Sequence, residues 1–210
     1  TCRSTLQGGH VFHLDAATVA EIDDEDGEAD GREVHQAPRG EAKSTYETQL
    51  GVAMSIMCAE PIRINGVKAM EAAKTHTRND AFDQAVLAVI LTTGLVSNFL
   101  TAEFNTHIAH AMCYGFSTQE IVEKNHLHGE IVSYGVLVLL TVDKQLEERA
   151  KWLDVYKAMG LPVKLADLEM KIEDMAPVYK KAIDVPATDV SPYPITEQML
   201  EDAVKALEAL

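Results

Sequence analysis

Apolar residues recur every three to four positions along most of this chain, which is the period of an amphipathic helix. The first such stripe comprises Leu50, Val52, Ala53, Ile56 and Met57. The pattern predicts one helix up to Pro61 and a second helix after Gly66, because proline and glycine both disfavour a helix interior. The side chains of these stripes are expected to form part of a helical core.

Two longer apolar runs, residues 85–100 and 131–142, predict buried helices that are too short or too interrupted to span a bilayer. Asn79 is placed to cap the helix that carries the first run, and Gly94 is expected to let a neighbour approach closely. Downstream, Gly160 predicts the end of another helix and Thr196 the start of the last one. Together these patterns predict an all-α helical bundle.

Four of the eight histidines fall within the mostly apolar stretch of residues 106–135, and they are His107, His110, His126 and His128. In a helix, His107 and His110 would share a face. Gly115 predicts the end of that helix, and the helix after residue 127 would start at His128. One histidine from each helix could then reach the same ion, since neutral imidazole is a common metal ligand. The alternative is that a histidine at a helix end is only capped or hydrogen bonded, which fits His107 and His126 best.

Between these two helices, Ser117 and Glu120 have the spacing of a capping box and predict a short helix that ends near Asn125. This short helix would bridge the two histidine-bearing helices. Trp152, the single tryptophan, lies on the apolar face of a later amphipathic helix and is interpreted as a packing residue.

Residues 1–40 differ from the rest, since seven of the ten residues at 21–30 are acidic and glycines are frequent. Such a composition predicts an irregular, solvated segment. A calcium loop is disfavoured because its first ligand position would be Ile22, which has no side-chain oxygen. We therefore predict an irregular acidic segment at 1–40, with a remnant of a nucleotide-binding domain as the alternative, and a helical metal-binding domain at 41–210.

Two motifs carry a resemblance to a known family. Ala-His-Ala-Met-Cys-Tyr-Gly at residues 109–115 and His-Gly-Glu-Ile-Val-Ser-Tyr-Gly at residues 128–135 resemble the helical domain of the iron-containing alcohol dehydrogenase superfamily, most closely its glycerol dehydrogenase branch. The resemblance covers roughly residues 44–210 and implies a dehydroquinate synthase-like α domain. It also implies that His110 and His128 bind a divalent metal, either zinc or iron.

The resemblance suggests a third ligand, because residues 40–46 loosely resemble the family segment Gly-Asp-Ala-Leu-Ala-Thr-Tyr, whose aspartate binds the metal. Glu41 would occupy that position. The alternative is a first-turn glutamate that is favoured only by the helix dipole.

The function implied by the resemblance is NAD(P)-dependent oxidation of a polyol or alcohol. The metal would lower the pKa of the substrate hydroxyl, and hydride would pass from the alkoxide carbon to the nicotinamide. No glycine-rich phosphate loop occurs in the chain, so no cofactor-binding residue is predicted and the chain alone is expected to be inactive. The alternative function is a truncated, non-catalytic helical bundle.

The net charge and the cysteine content limit which binding partners and which cellular compartment are expected. The formal net charge of −15 disfavours binding to nucleic acid or to anionic membranes. The three cysteines have neither metal-binding nor redox spacing and suit a reducing cytoplasm, and no signal peptide is predicted. The resemblance implies a small polyol or alcohol as the substrate. The sequence does not decide whether the chain forms a homo-oligomer.

Overall fold

The computed structural model describes residues 46–100, 102–186, 188, 191 and 193–210. The predicted acidic segment at 1–40 and Glu41 lie outside these residues. Across the described part of the chain the regular secondary structure is helical and contains no strand. The prediction of an all-α fold is confirmed.

The α-helices, numbered in chain order, are α1 (Tyr46–Lys74), α2 (Asp80–Leu87), α3 (Thr93–Phe99), α4 (Ala102–Phe116), α5 (Glu120–Asn125), α6 (His128–Val142), α7 (Leu146–Met159), α8 (Ala176–Ile183) and α9 (Glu197–Glu208). A π-helical turn, Ala88–Thr92, joins α2 to α3, and 3-10 turns cover Leu165–Leu168 and Ile172–Asp174.

Helix α1 is continuous through both of the positions where a break was predicted. Pro61 cannot donate a hydrogen bond to the carbonyl of Met57, but Met57 lies on the exposed side of the helix, where water can replace that bond. A Cβ added to Gly66 would lie 2.8 Å from Sδ of Met159. Gly66 therefore permits a close approach of α1 and α7, and the prediction of two helices here is wrong.

The apolar run that follows is helical, but its burial was predicted wrongly. Leu87, Ile90 and Leu91 are each more than half exposed, at 51%, 57% and 55%. Within the described residues, the run Asp80–Phe99 is long and apolar enough to cross a membrane by length and composition alone, so the expectation that it is too short is also wrong. One such run does not by itself assign the chain to a membrane. Among the described residues, no atom outside the backbone of its own helix lies within 4 Å of a Cβ added to Gly94, so none of them is the close neighbour expected there.

The predicted cap at Asn79 is confirmed, since its Oδ1 accepts a hydrogen bond of 2.8 Å from the backbone N–H of Phe82. This bond satisfies one of the N–H groups that have no partner inside the first turn of α2. Asn79→Ala should therefore lower the free energy of unfolding by about 1 kcal/mol. The midpoint of urea denaturation would measure the loss, and an unchanged midpoint would show that the cap is replaced by water at no cost.

Helix α6 forms the centre of the bundle, and residues 131–140 are all buried. Helix α4 packs along α6 and also against α8, while α9 and α7 cover other parts of α6. A Cβ added to Gly135 would lie 2.3 Å from the carbonyl oxygen of Ala109. The backbones of α4 and α6 are thus in direct contact, which fixes the relative position of the two histidine-bearing helices.

Helix α4 ends at Phe116, one residue after the end predicted at Gly115. A Cβ added to Gly115 would lie 2.4 Å from the carbonyl oxygen of Val178, so this glycine serves the contact with α8. The short helix α5 ends at Asn125 as predicted, but Ser117 does not cap it. Its hydroxyl donates instead to the carbonyl oxygen of Cys113 at 3.0 Å.

The later helix boundaries agree with their sequence signals. Helix α7 ends before Gly160, which has a φ of 75° and adopts the left-handed conformation that favours glycine. Thr196 caps α9 by accepting a hydrogen bond of 3.2 Å from the N–H of Met199. Trp152 is buried and lies 5.5 Å from the ring of Tyr156, in agreement with its interpretation as a packing residue.

Candidate metal centre

His110 occupies the inner face of α4, where only 6% of the residue is exposed. Ala109 and Ala111 flank it, and both are buried. Their small side chains, together with the missing side chain of Gly135, allow α4 to lie directly against α6. The imidazole of His110 is therefore held at the contact between the two helices.

His128 is the first residue of α6. The start of this helix is fixed by Glu130, whose carboxylate accepts a hydrogen bond of 2.9 Å from the backbone N–H of Leu127. His128 is exposed by surface area, but partial desolvation lowers its pKa because the charged imidazolium is disfavoured away from water. The lowered pKa favours the neutral ring, which is the form that binds metals.

The ring centres of His110 and His128 are 5.5 Å apart, with their planes tilted by 42°. Two imidazoles bound to one tetrahedral ion through bonds of about 2.1 Å would have ring centres roughly 5 Å apart. The separation and the two imidazole nitrogen donors therefore fit a divalent transition metal such as zinc or iron. The structure brings together the two histidines that were selected from the sequence.

A third side chain, Cys113, lies at the same place and was not selected from the sequence as a site residue. Its Sγ is 3.3 Å from Nδ1 of His128. Burial raises the pKa of the Cys113 thiol to about 11, so the thiol is neutral at physiological pH. The sequence feature that could have identified Cys113 is its spacing, because it follows His110 by three residues and shares its helix face.

Among the residues that the structure describes, no group of three or more histidine, cysteine, aspartate or glutamate side chains is arranged to hold a metal ion. Glu41, the third ligand suggested by the resemblance, lies outside those residues. The described part of the candidate site therefore consists of two imidazole donors with a thiol beside one of them.

His107 does not share a helix face with His110, contrary to the expectation. The backbone of α4 is interrupted at His107, where φ is 1° and ψ is −159°. Its Nε2 lies 2.6 Å from Oγ of Ser191, a buried residue in the segment before α9. The interpretation of His107 as a hydrogen-bonded residue agrees with this contact.

His126 lies just before α6 and is largely buried between two carboxylates. Its Nδ1 is 3.6 Å from Glu130 and its Nε2 is 3.5 Å from Glu169. These contacts place His126 in a polar cluster at the start of α6, which also agrees with the interpretation of a histidine that is held by polar neighbours at a helix end.

Comparison with known proteins first defines the class. No protein-family profile matches the chain. It is 29% identical over 168 residues to hydroxycarboxylate dehydrogenase A of Escherichia coli K12, covering 76% of this chain and 46% of the relative. It is 26% identical over 162 residues to glycolaldehyde reductase of Halobacterium salinarum, covering 75% and 43%. The chain is thus related to oxidoreductases.

The particular relationship is to glycerol dehydrogenase. The chain is 31% identical over 128 residues to the enzyme of Escherichia coli O6:H1, covering 59% of this chain and 33% of the relative. The structure of a probable glycerol dehydrogenase from Sinorhizobium meliloti 1021 matches with a TM-score of 0.68 and 27% identity, over 77% of this chain and 46% of that one. The predicted resemblance to glycerol dehydrogenase is therefore confirmed.

A second solved structure agrees in fold. Glycerol dehydrogenase from Schizosaccharomyces pombe matches with a TM-score of 0.67 and 21% identity, over 77% of this chain and 41% of that one. At this identity the likeness concerns the fold alone. The chain spans about a third to a half of the length of the relatives that it matches.

Proposed function

We propose that this chain is the metal-binding portion of an NAD(P)-dependent polyol or alcohol dehydrogenase of the glycerol dehydrogenase kind. The observation that carries the proposal is the 5.5 Å separation of the rings of His110, which is buried, and His128, in a chain whose relatives are dehydrogenases. A bound zinc or iron ion would supply a Lewis acid that polarises the substrate hydroxyl for hydride transfer to a nicotinamide.

The residues of this chain would prepare the site in two ways. His110 is buried, and partial desolvation lowers the pKa of His128, which favours its neutral form. The backbone contact between Gly135 and Ala109 fixes the separation of the rings before any ligand binds. Such fixed geometry reduces the free energy needed to organise the site.

The relatives indicate the class of substrate. Their names refer to glycerol, a hydroxycarboxylate and glycolaldehyde, which are small molecules that carry a hydroxyl group on carbon. We infer a small polyol or alcohol substrate for the complete enzyme. Because the chain contains no glycine-rich phosphate loop, we expect no dehydrogenase activity from it alone. The free cysteines Cys58 and Cys113 suit the reducing cytoplasm that we propose as its location.

Metal binding to the full 210-residue chain tests the proposal. We expect one tightly bound equivalent of zinc per chain after dialysis. At a free zinc concentration of about 100 times Kd, binding to the folded chain should stabilise it by about 2.7 kcal/mol, or less where the unfolded chain also binds zinc. Elemental analysis gives the stoichiometry, and chemical denaturation with and without zinc gives the stabilisation.

A second candidate function is a non-catalytic helical bundle. It is favoured by the absence of a three-ligand cluster among the described residues. In that case no equivalent of zinc would remain after dialysis and zinc would leave the denaturation midpoint unchanged. This result would contradict the proposal of a metal-binding dehydrogenase portion.

A further inference from the structure

We propose that Cys113 is a positioning residue for His128: its sulfur accepts a hydrogen bond from Nδ1–H and so directs Nε2 of His128 toward the metal. This inference rests on the proposed function, since it concerns the same candidate metal centre. It assigns a role to a side chain that the two histidine motifs do not identify.

The geometry places Cys113 beside the ring rather than on the surface. Its Sγ is 3.3 Å from Nδ1 of His128, which is a hydrogen-bonding distance for sulfur. Cys113 is only 1% exposed, so its sulfur is shielded from water, and the contact as a whole is partly buried. It lies one turn after His110 on the face of α4 that packs against α6. One helix thus contributes a metal-binding imidazole and the group that orients the other.

The tautomer of His128 decides the direction of this hydrogen bond. A neutral imidazole carries a proton on one nitrogen and a lone pair on the other. When Nδ1 carries the proton and donates to Cys113, Nε2 has the lone pair that a metal requires. If the thiol donated to Nδ1 instead, Nε2 would carry the proton and could not bind the ion. Metal binding therefore requires sulfur to act as the acceptor.

The expected size of the effect follows from the chemistry of sulfur. Loss of the group that orients a metal-binding histidine typically lowers metal affinity by about 10- to 100-fold. Because a thiol sulfur is a weak acceptor, the loss should be at the lower end of that range. A hydroxyl in the same place is a better acceptor, so serine should restore most of the function.

The test compares the full chain with Cys113→Ala, Cys113→Ser and the control Cys58→Ala. Cys58 is also buried and free, but it belongs to a separate core cluster. Competition with a chromophoric chelator would measure zinc affinity. We expect Cys113→Ala to bind zinc about 10-fold more weakly, Cys113→Ser to recover most of the affinity, and Cys58→Ala to match the original chain.

A second readout separates orientation from a general loss of structure. Nitrogen-15 NMR of the His128 ring reports which nitrogen carries the proton. We expect Nδ1–H in the zinc-bound chain and in Cys113→Ser, and a mixture of tautomers in metal-free Cys113→Ala. Circular dichroism of each variant would confirm that the helices are retained.

Three results would overturn the inference. The first is equal zinc affinity and an equal tautomer in the original chain and in Cys113→Ala. The second is a cobalt–thiolate charge-transfer band that disappears in Cys113→Ser, because sulfur would then be a ligand. The third, failure of the original chain itself to bind zinc, would also overturn the proposed function, whereas the first two leave that function intact.

Discussion

Replacement of either candidate ligand, by His110→Ala or His128→Ala, should weaken zinc binding by more than about 100-fold. The physical reason is that, in the proposed site, each side chain would supply one of two nitrogen donors, whose rings are 5.5 Å apart. Since the loss of an outer partner alone costs about 10- to 100-fold, loss of a direct ligand should cost more. Competition with a chromophoric chelator would measure the affinity of each variant.

A matched control is available in His76, which is exposed and lies in the turn after α1 with a φ of 53°. His76→Asn preserves this left-handed backbone, because asparagine tolerates positive φ better than most residues. We expect its zinc affinity to remain within about twofold of the original, because the substitution leaves both His110 and His128, and so the ligand bonds, in place. If His110→Ala and His128→Ala bound zinc as tightly as this control, the two imidazoles would not be ligands of one ion.

The sequence was most informative where structure is decided locally. The caps at Asn79 and Thr196 and the end of α7 before Gly160 depend on a few neighbouring residues, and all three were predicted. The start of α6 at His128 and the burial of residues 131–140 follow from an apolar run that charges do not interrupt. These local signals were enough to predict an all-α fold and to select His110 and His128.

The sequence was misleading where a distant element decides the result. The low helix propensity of Gly66 predicts a break in α1, whereas this glycine lies inside the helix and allows α7 to approach. The spacing of apolar residues predicted an apolar face on the helical run 85–100, which contains Ile90. This spacing could not show whether another element covers that face. Ile90 remains 57% exposed.

The contacts around the candidate site show the same limit. His107 pairs with Ser191, which lies 84 positions away, and no spacing rule relates the two residues. Cys113 is nearer to its partner in sequence, but its contact with His128 depends on how α4 crosses α6. Spacing along one helix identifies the residues on a face, while the packing of two helices determines which of them meet.

Gly135→Ala should lower the free energy of unfolding by about 3 kcal/mol, the upper part of the range for overpacking a core. The added Cβ would lie 2.3 Å from the carbonyl oxygen of Ala109, so the backbones of α4 and α6 must separate. The same movement would increase the distance between His110 and His128, and zinc affinity should fall as well. Chemical denaturation and chelator competition measure these two effects.

Two glycine variants serve as controls for Gly135→Ala. Gly94→Ala lies in a helix where no other described part of the chain comes within 4 Å of the new Cβ, and it should stabilise the chain by about 0.5–1 kcal/mol. Gly115→Ala would place a Cβ 2.4 Å from the carbonyl oxygen of Val178, so it should destabilise the contact of α4 with α8 and reduce zinc affinity less. If Gly135→Ala were as stable as Gly94→Ala, the two histidine-bearing helices would not be in backbone contact. The contact that fixes the separation of their imidazoles would then be absent.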